Sequence, residues 1–427
     1  MELLKPVKLG ILGMGTVASG LINIMEFNKN KVHETIQREL IVNKVLVNSL
    51  NKKRNINLPE EVYTTDAYEV INSDADIIVE LIGGINPAYE YIKAALNNKK
   101  HVVTANKALL ASHGEELQLL AEKNNVKLMY EASVGGGIPI LNTIRDNLSA
   151  NEFEYIFGII NGTTNYILTQ MTENGLDYGQ AVKEAQRLGF AEADPSSDVY
   201  GDDAAYKLSI LSTLAFGQRI YVKDIPKEGI TKISKEDIEY AKELGYNIKL
   251  LAAGIKKGNK IELSVHPAFI PASHPLSTVK NEFNAVFLKG NAVGELMFYG
   301  KGAGSLPTGS AVLADIMHIV RNADSLTFKN ESKKRSVISN KGFKQYYINM
   351  EVIDKPGVLG SIASIFGKNN VSLASVVQRQ KNGNDTVPLV FITHEAERKN
   401  IDAALEETKK FEFVTELDSI IIVENFK

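Results

Sequence analysis

Residues 7–25 read VKLGILGMGTVASGLINIM, and the way this stretch folds decides how the first third of the chain folds. A short apolar run ends at Gly13-x-Gly15-x-x-Ala18, and Val17, Leu21, Ile22 and Ile24 then recur at helical spacing. Strand, glycine turn and helix in that order form the phosphate-binding unit of a dinucleotide fold. Gly13 permits the tight turn, Gly15 lets the backbone approach a pyrophosphate, and Ala18 is small enough for the helix to pack on the strand. Thr16 and Val17 open the helix, whose N-terminus faces the phosphates, and join the glycines as candidate cofactor contacts.

The pattern continues outward. ADIIVELIGG, HVVTA and VKLMYEA read as strands, and NPAYEYIKAALNNK and KALLASHGEELQLLAEKNN as helices between them, so the expected architecture is a doubly wound α/β sheet. Ligands bind at the carboxyl edge of such sheets, which makes Gly83, Gly84, Thr104, Asn106 and Lys107 candidates. The strand LIVNKVLVNSL should present the residue that reads the ribose 2′ position, and it ends in Asn48 and Ser49 with no acid. Lys52, Lys53 and Arg54 follow. This favours NADP over NAD, although a solvated basic loop accounts for the same three charges.

Composition narrows the function classes. With 427 residues and 44% hydrophobic content, the chain predicts roughly two to three domains with sizeable cores. A net charge of -3 and the lack of a Lys/Arg-rich tract argue against a nucleic-acid or membrane-surface partner. No apolar run of about 18 residues occurs, so a cytoplasmic protein with small-molecule partners is expected. There are no cysteines, which removes thiolate metal sites and thiol nucleophiles. The seven histidines, at positions 33, 101, 113, 266, 274, 318 and 394, show no ligand spacing, so a zinc enzyme is not expected.

The stretch DVYGDDAAYKLSILSTLAF poses a question of its own, because Asp203 and Lys207 fall where core residues belong. In a helix over 202–216, positions 203, 207, 210, 211 and 214 share one face, and Ile210, Leu211 and Leu214 fill three of them. One reading is an i, i+4 ion pair snorkelling to water at the edge of a core stripe. The other is a catalytic lysine held by carboxylates.

Taken together, GILGMGTVASG, ADIIVELIGG, HVVTANKALL, YEASVGGGIPI, INGTTNYIL, RLGFAEADPSSDVYGDDAAYKLSIL and YGKGAGSLPTGSAVLAD resemble homoserine dehydrogenase, in order and across nearly the whole chain. The resemblance implies interconversion of aspartate 4-semialdehyde and homoserine with a nicotinamide cofactor, a step toward threonine, methionine and isoleucine. It implies Lys207 as the acid/base near the substrate oxygen, and Asp203 and Asp198 as carboxylates that bind substrate and hold that lysine. Lys107 would position the aldehyde, Glu192 would receive the substrate ammonium, and Gly162 and Thr163 would line the same pocket. Hydride addition to an aldehyde builds negative charge on oxygen, which a nearby ammonium stabilises and can protonate.

The same resemblance implies a sodium or potassium site from Glu131 and the carbonyls of Val134, Gly136 and Ile138. A plain glycine-rich connection is the other account of that loop. Gly300, Gly302 and Gly304 would return the chain to the nicotinamide end. Three positions depart from the family habit: Phe190 replaces a frequent tyrosine, Asn48 and Ser49 replace a frequent Arg-Asp pair, and Gly135 replaces alanine, a change expected to affect loop stiffness.

Residues 329–343, KNESKKRSVISNKGF, read as a charged linker. Beyond it the periods fit a ferredoxin-like βαββαβ module, and DKPGVLGSIASIF with NNVSLASV resembles an ACT domain. Asp354, Gly357, Val358 and Leu359 are its candidate effector contacts, threonine is the implied ligand, and a purely structural dimerisation module is the alternative. The expected boundaries are a Rossmann domain over 1–130 plus 302–328, an α+β substrate and dimerisation domain over 131–301, and the ACT domain over 344–427, in a homodimer or homotetramer. A semialdehyde dehydrogenase would need the cysteine this chain lacks. A non-catalytic amino-acid sensor on the same scaffold is the rival of a different class.

Overall fold

The computed structural model describes residues 5–52, 54, 56, 58–322, 336–339, 342–378 and 386–426. Lys53 and residues 329–335, 340 and 341 of the expected linker lie outside them. The chain forms two compact units, one of Met1–Ile156, Tyr206–Asp224 and Phe283–Arg335, the other of Phe157–Ala205, Ile225–Glu282 and Ser336–Lys427.

The first unit is built on a parallel sheet of β1 (Val7–Leu12), β2 (Leu40–Leu46), β3 (Tyr63–Thr64), β4 (Ile77–Glu80), β5 (His101–Thr104) and β6 (Leu128–Met129). Their order in the sheet, β3-β2-β1-β4-β5-β6, is that of the dinucleotide fold, with its switch point beside β1. Leu9, Ile11, Ile77, Val79 and Val103 are buried together with Ala18 and Leu21 of the helix Thr16–Phe27 and with Val312 and Ile316 of the helix Ser305–Arg321. Those two helices touch backbone to backbone. A methyl group added at Gly20 would lie 2.0 Å from the Ser305 carbonyl oxygen, and one at Gly309 would lie 2.6 Å from the Leu21 nitrogen. The hairpin Phe283–Gly290/Gly294–Lys301 also belongs to this unit.

In the second unit, the helices Gly162–Asn174 and Tyr178–Arg187 precede the long antiparallel pair Tyr246–Lys257/Lys260–Pro271. Residues 343–423 then form the expected βαββαβ module: strand Phe343–Ile353, helix Val358–Lys368, strands Leu373–Gln378 and Thr386–Thr393, helix Arg398–Thr408 and strand Val414–Val423. Its last strand does more than close the module. It pairs antiparallel with Phe343–Ile353 on one side, and in parallel with Lys260–Pro271 on the other through Ile422↔Ala268 and Val423↔Phe269. Val337 and Ile338, within the expected linker, pair with Lys260 and Ile261. An edge that would otherwise expose unpaired amides is therefore used inside the unit.

Below this seam lies Glu424. Burial works to raise its pKa, but His266 and Lys344, at 3.5 and 2.9 Å, outweigh it and hold the carboxyl down at about 2. The close approach of the two helices in the first unit can be tested directly. Gly20→Ala must push Ser305 away, and we expect it to cost about 1–3 kcal/mol, read as a lower urea midpoint than wild type; an unchanged midpoint would show that the helices can separate freely.

Candidate active site

The helix Asp202–Phe216 begins with two acids, which its N-terminal dipole favours. It is buried on most sides. Ala204, Ala205, Leu208, Ser209, Leu211 and Ser212 are each 2% exposed or less, while Leu214, expected in the core, is half-buried. Asp203 is 2% exposed and Lys207 8%, so the pair does not snorkel at a surface. Charged groups are kept so far from water only when other polar groups compensate them.

Part of that compensation comes from Asn161, which the sequence reading missed. Its side-chain amide nitrogen donates to Asp198 Oδ1 at 2.7 Å and to Asp203 Oδ2 at 2.9 Å. Its Oδ1 accepts from the Thr164 amide at 2.8 Å, capping the helix Gly162–Asn174. Both amide protons are thus committed to carboxylates, and the cap fixes the direction in which they point. The signal for this lay in INGTTN: an Asn three residues ahead of a threonine, before a helical run, is an N-cap.

Thr163 donates its hydroxyl to the Phe190 carbonyl at 2.7 Å, which ties the loop carrying Glu192 to the same helix, and the Phe190 ring packs on Tyr166 at 4.7 Å. Glu192 is exposed. Gly162 is the first helical residue, where a methyl would meet the Glu282 carbonyl oxygen at 2.8 Å. Two residues beyond Thr163, Asn165 accepts from Lys249 at 2.9 Å. Lys249 also donates to the Val279 carbonyl at 2.5 Å, and its burial lowers its pKa to about 8. A lysine inside a strand of apolar residues carried no local sequence signal.

In the first unit, Lys107 is the first residue of the helix Lys107–Lys123, capped by Asn106 Oδ1 at the Leu109 amide. Arg219, just past the helix that bears Lys207, donates to the carbonyls of Leu110 and Ala111. The segments carrying the two lysines are therefore fastened to each other.

At the carboxyl edge of β4, Glu80 is fully buried and accepts from the Ile82 and Gly83 amides and the Thr104 hydroxyl, at 2.8, 3.1 and 2.6 Å. Thr104 is itself fully buried with its hydroxyl engaged by Glu80, and Asn106 donates to the Gly84 carbonyl at 2.5 Å. The edge of β1 is open. Gly13 has φ +99°, a backbone state that favours glycine, and a methyl at Gly15 would meet nothing within 4 Å. Thr16 is exposed and Val17 half-buried beside it, so these residues fit a dinucleotide phosphate. Asn48 is exposed, and Arg54 donates to the Ser49 and Lys52 carbonyls at 2.6 and 2.8 Å, which places a guanidinium beside the end of β2. Gly304, at φ +119°, precedes the helix Ser305–Arg321.

The loop after β6 is more constrained than stiffness alone would require. Gly135 and Gly136 have φ +74° and +55°, and a methyl at Gly136 would lie 2.4 Å from the Gly302 carbonyl oxygen. The Glu131 carboxylate accepts from the amides of Ile140, Leu141 and Asn142 at 2.7, 2.8 and 2.6 Å. The Ile138 carbonyl accepts from the Ile140 amide at 2.9 Å, and Val134 and Ile138 are buried. Asp315 is fully buried next to Glu131, accepting from its amide at 2.7 Å and from the Asn142 side chain at 2.8 Å. Burial raises the pKa of both acids, that of Asp315 to about 7.

A β3-β2-β1-β4-β5-β6 parallel sheet with an open glycine turn, and a buried lysine helix whose acids are held by an amide, define a dinucleotide-dependent oxidoreductase with an appended ferredoxin-like module. Family models match along the chain: "Homoserine dehydrogenase, NAD binding domain" over residues 13–131, "Homoserine dehydrogenase" over 139–317 and "ACT domain" over 346–413. The chain belongs to the homoserine dehydrogenase family, and it is an oxidoreductase with a nicotinamide nucleotide cofactor. It is 41% identical to the homoserine dehydrogenase of Bacillus subtilis, with 99% of each chain covered. The homoserine dehydrogenase structure from Thiobacillus denitrificans superposes with a TM-score of 0.93 at 38% identity, covering 99% of each chain. A hyperthermophilic archaeal homoserine dehydrogenase in complex with NADPH covers 76% of this chain and is itself covered completely, at 29% identity and a TM-score of 0.65.

The raised pKa of Asp315 gives a stability signature. Between about pH 4 and pH 7 the folded chain holds a proton that the unfolded chain has released, so this carboxyl lowers stability as pH rises through that window. Asp315→Asn removes the titration. Urea midpoints at pH 5 and pH 8 should fall further for wild type than for the variant, and parallel curves would contradict the assignment.

Proposed function

We propose that the chain interconverts L-aspartate 4-semialdehyde and L-homoserine, with Lys207 and Lys107 at the reacting oxygen. The observation that carries this reading is the Asn161 clamp on Asp198 and Asp203, one helical turn before a buried Lys207. Bound NAD(P) supplies or accepts the hydride. Lys207 gives a proton to the alkoxide in the reducing direction and takes it back in the other, and Asp203 stabilises its ammonium. Lys107 orients the carbonyl. Glu192 receives the substrate ammonium, Asp198 joins Asp203 in binding substrate and holding the lysine, and Thr163 and Gly162 hold the loop and helix start that form the pocket wall.

NADP is the favoured cofactor. Support comes from the absence of an acid at Asn48 and Ser49, from the Arg54 guanidinium anchored to the Ser49 carbonyl, and from the NADPH carried by the archaeal relative. For the monovalent cation, the carbonyls of Val134, Gly136 and Ile138 are donors of the right hardness for sodium or potassium. Glu131 already holds three amides, so its share in such a site is through its remaining lone pairs.

The chain is read as a cofactor domain over 1–130 plus 302–328, a substrate and dimerisation domain over 131–301 and an ACT domain over 344–427. The ACT module is read as a threonine sensor at the turn of Asp354, Gly357, Val358 and Leu359. Leu359 is exposed and Gly357 opens the helix at φ +89°, whereas Val358 packs into the module's core. A homodimer or homotetramer is the assembly expected for this reading.

Initial rates with L-homoserine, followed by reduced nicotinamide absorbance, test the reading. Lys207→Ala should lower kcat by at least ~10²-fold while cofactor affinity is retained. Unchanged turnover would remove Lys207 from the chemistry.

A further inference from the structure

We propose that Asn284 is a positioning residue for the nicotinamide nucleotide: its buried side-chain amide pairs with the peptide groups of Gly302–Gly304 and holds that segment in the arrangement that receives the cofactor. This rests on the nucleotide site read at Gly13–Val17, and it adds a residue from a strand outside the parallel sheet.

Asn284 is the second residue of the strand Phe283–Gly290 and lies opposite Gly300 of the strand Gly294–Lys301. Alternation puts it on one face with Val286 and Leu288, and all three are fully buried. A polar group in such company costs free energy unless it is hydrogen-bonded. Yet both Nδ2 and Oδ1 of Asn284 are buried without a hydrogen-bond partner among the described residues. The amide lies over the Gly302 backbone, in the space a side chain there would fill: a methyl at Gly302 would be 1.9 Å from Nδ2 and 2.7 Å from Oδ1.

A carboxamide offers two N–H donors and a carbonyl acceptor, which is the complement of a peptide group. The backbone of 302–304 supplies such groups. This segment is anchored at both ends. On one side the Lys301 carbonyl accepts from the Gly137 amide at 3.1 Å, and on the other the Ser305 hydroxyl donates to the Thr16 carbonyl at 2.8 Å. Thr16 opens the helix whose N-terminus faces the phosphates, so the second anchor sits on the nucleotide site itself. Between the anchors, Ala303 and Gly304 are exposed, and two of the three residues are glycines that can rotate at little steric cost. A ligand drives such a rotation only if it binds the rotated form better. Asn284 lowers the cost of that form, because turning a peptide group toward its amide satisfies polar atoms that are otherwise buried and unpaired.

Hydrogen exchange of the full chain, read by mass spectrometry on peptides spanning 302–304, tests this with NADP⁺ and, separately, NAD⁺, in wild type, Asn284→Ala and Asn284→Val. Urea midpoints measured before nucleotide is added report that each variant folds, and the wild-type arm depends on no variant. In wild type, exchange over 302–304 should slow on saturation with the tighter-binding nucleotide, and in both variants that slowing should be lost. The calorimetric Kd for the nucleotide should rise about tenfold in each variant, the worth of one net hydrogen bond. Exchange in wild type that is indifferent to nucleotide, slowing that persists in the variants, or an unchanged Kd would each overturn the role of Asn284. No homoserine is present, so these results leave the proposed reaction standing. Failure of both nucleotides to bind wild type would instead remove the nucleotide site, and this inference with it.

Discussion

One side-chain amide orders the acids of the candidate site. Asn161 can donate only two hydrogen bonds from its nitrogen, and both go to carboxylates, Asp198 and Asp203, while its oxygen is held by the helix it caps. Two acids drawn together without such a donor would repel each other and seek water. With it, they remain ordered next to a helix that is buried on most sides, and Lys207 is kept one turn away from Asp203 at 8% exposure. The local order runs from the N-cap, through the acids, to the lysine.

The first unit was legible because its signals are local. The Gly13 to Ala18 turn, the apolar strands and the helical periods each occupy a few adjacent residues, and their alternation matches the parallel sheet of the dinucleotide fold. The βαββαβ module was legible for the same reason. The burial of Asp203 and Lys207 was half legible: spacing put them on a core face but could not exclude an exposed pair. Asn161, Glu80 and Lys249 were missed because their partners are distant in sequence. Asn161 meets Asp198 and Asp203 across 37 and 42 positions, Glu80 meets Thr104 across 24, and Lys249 meets Asn165 across 84. Thr104, at a strand's carboxyl end, donates its hydroxyl to Glu80, a partner its local sequence does not announce. Gly135, at φ +74°, meets a backbone requirement that loop stiffness alone does not describe.

The module's attachment was not legible either. Sequence gives a strand its period but not its second neighbour, and the strand Val414–Val423 has neighbours on both sides, Phe343–Ile353 and Lys260–Pro271. Through that parallel pairing, and through Asp237 with Tyr347 and Ser419, the ACT module and the substrate domain share one hydrogen-bonded frame. A module fixed in this way can transmit a small local shift, because packed interfaces do not deform gradually.

The measurement that reaches the centre of this account is the steady-state rate of Asn161→Ala with L-homoserine, alongside its affinity for NADP⁺. Loss of the clamp should reduce kcat/KM by about 10²-fold, equivalent to roughly 3 kcal/mol, while NADP⁺ affinity holds. A variant as active as wild type would show that Asp198 and Asp203 need no such clamp, and that Lys207 is held by other means.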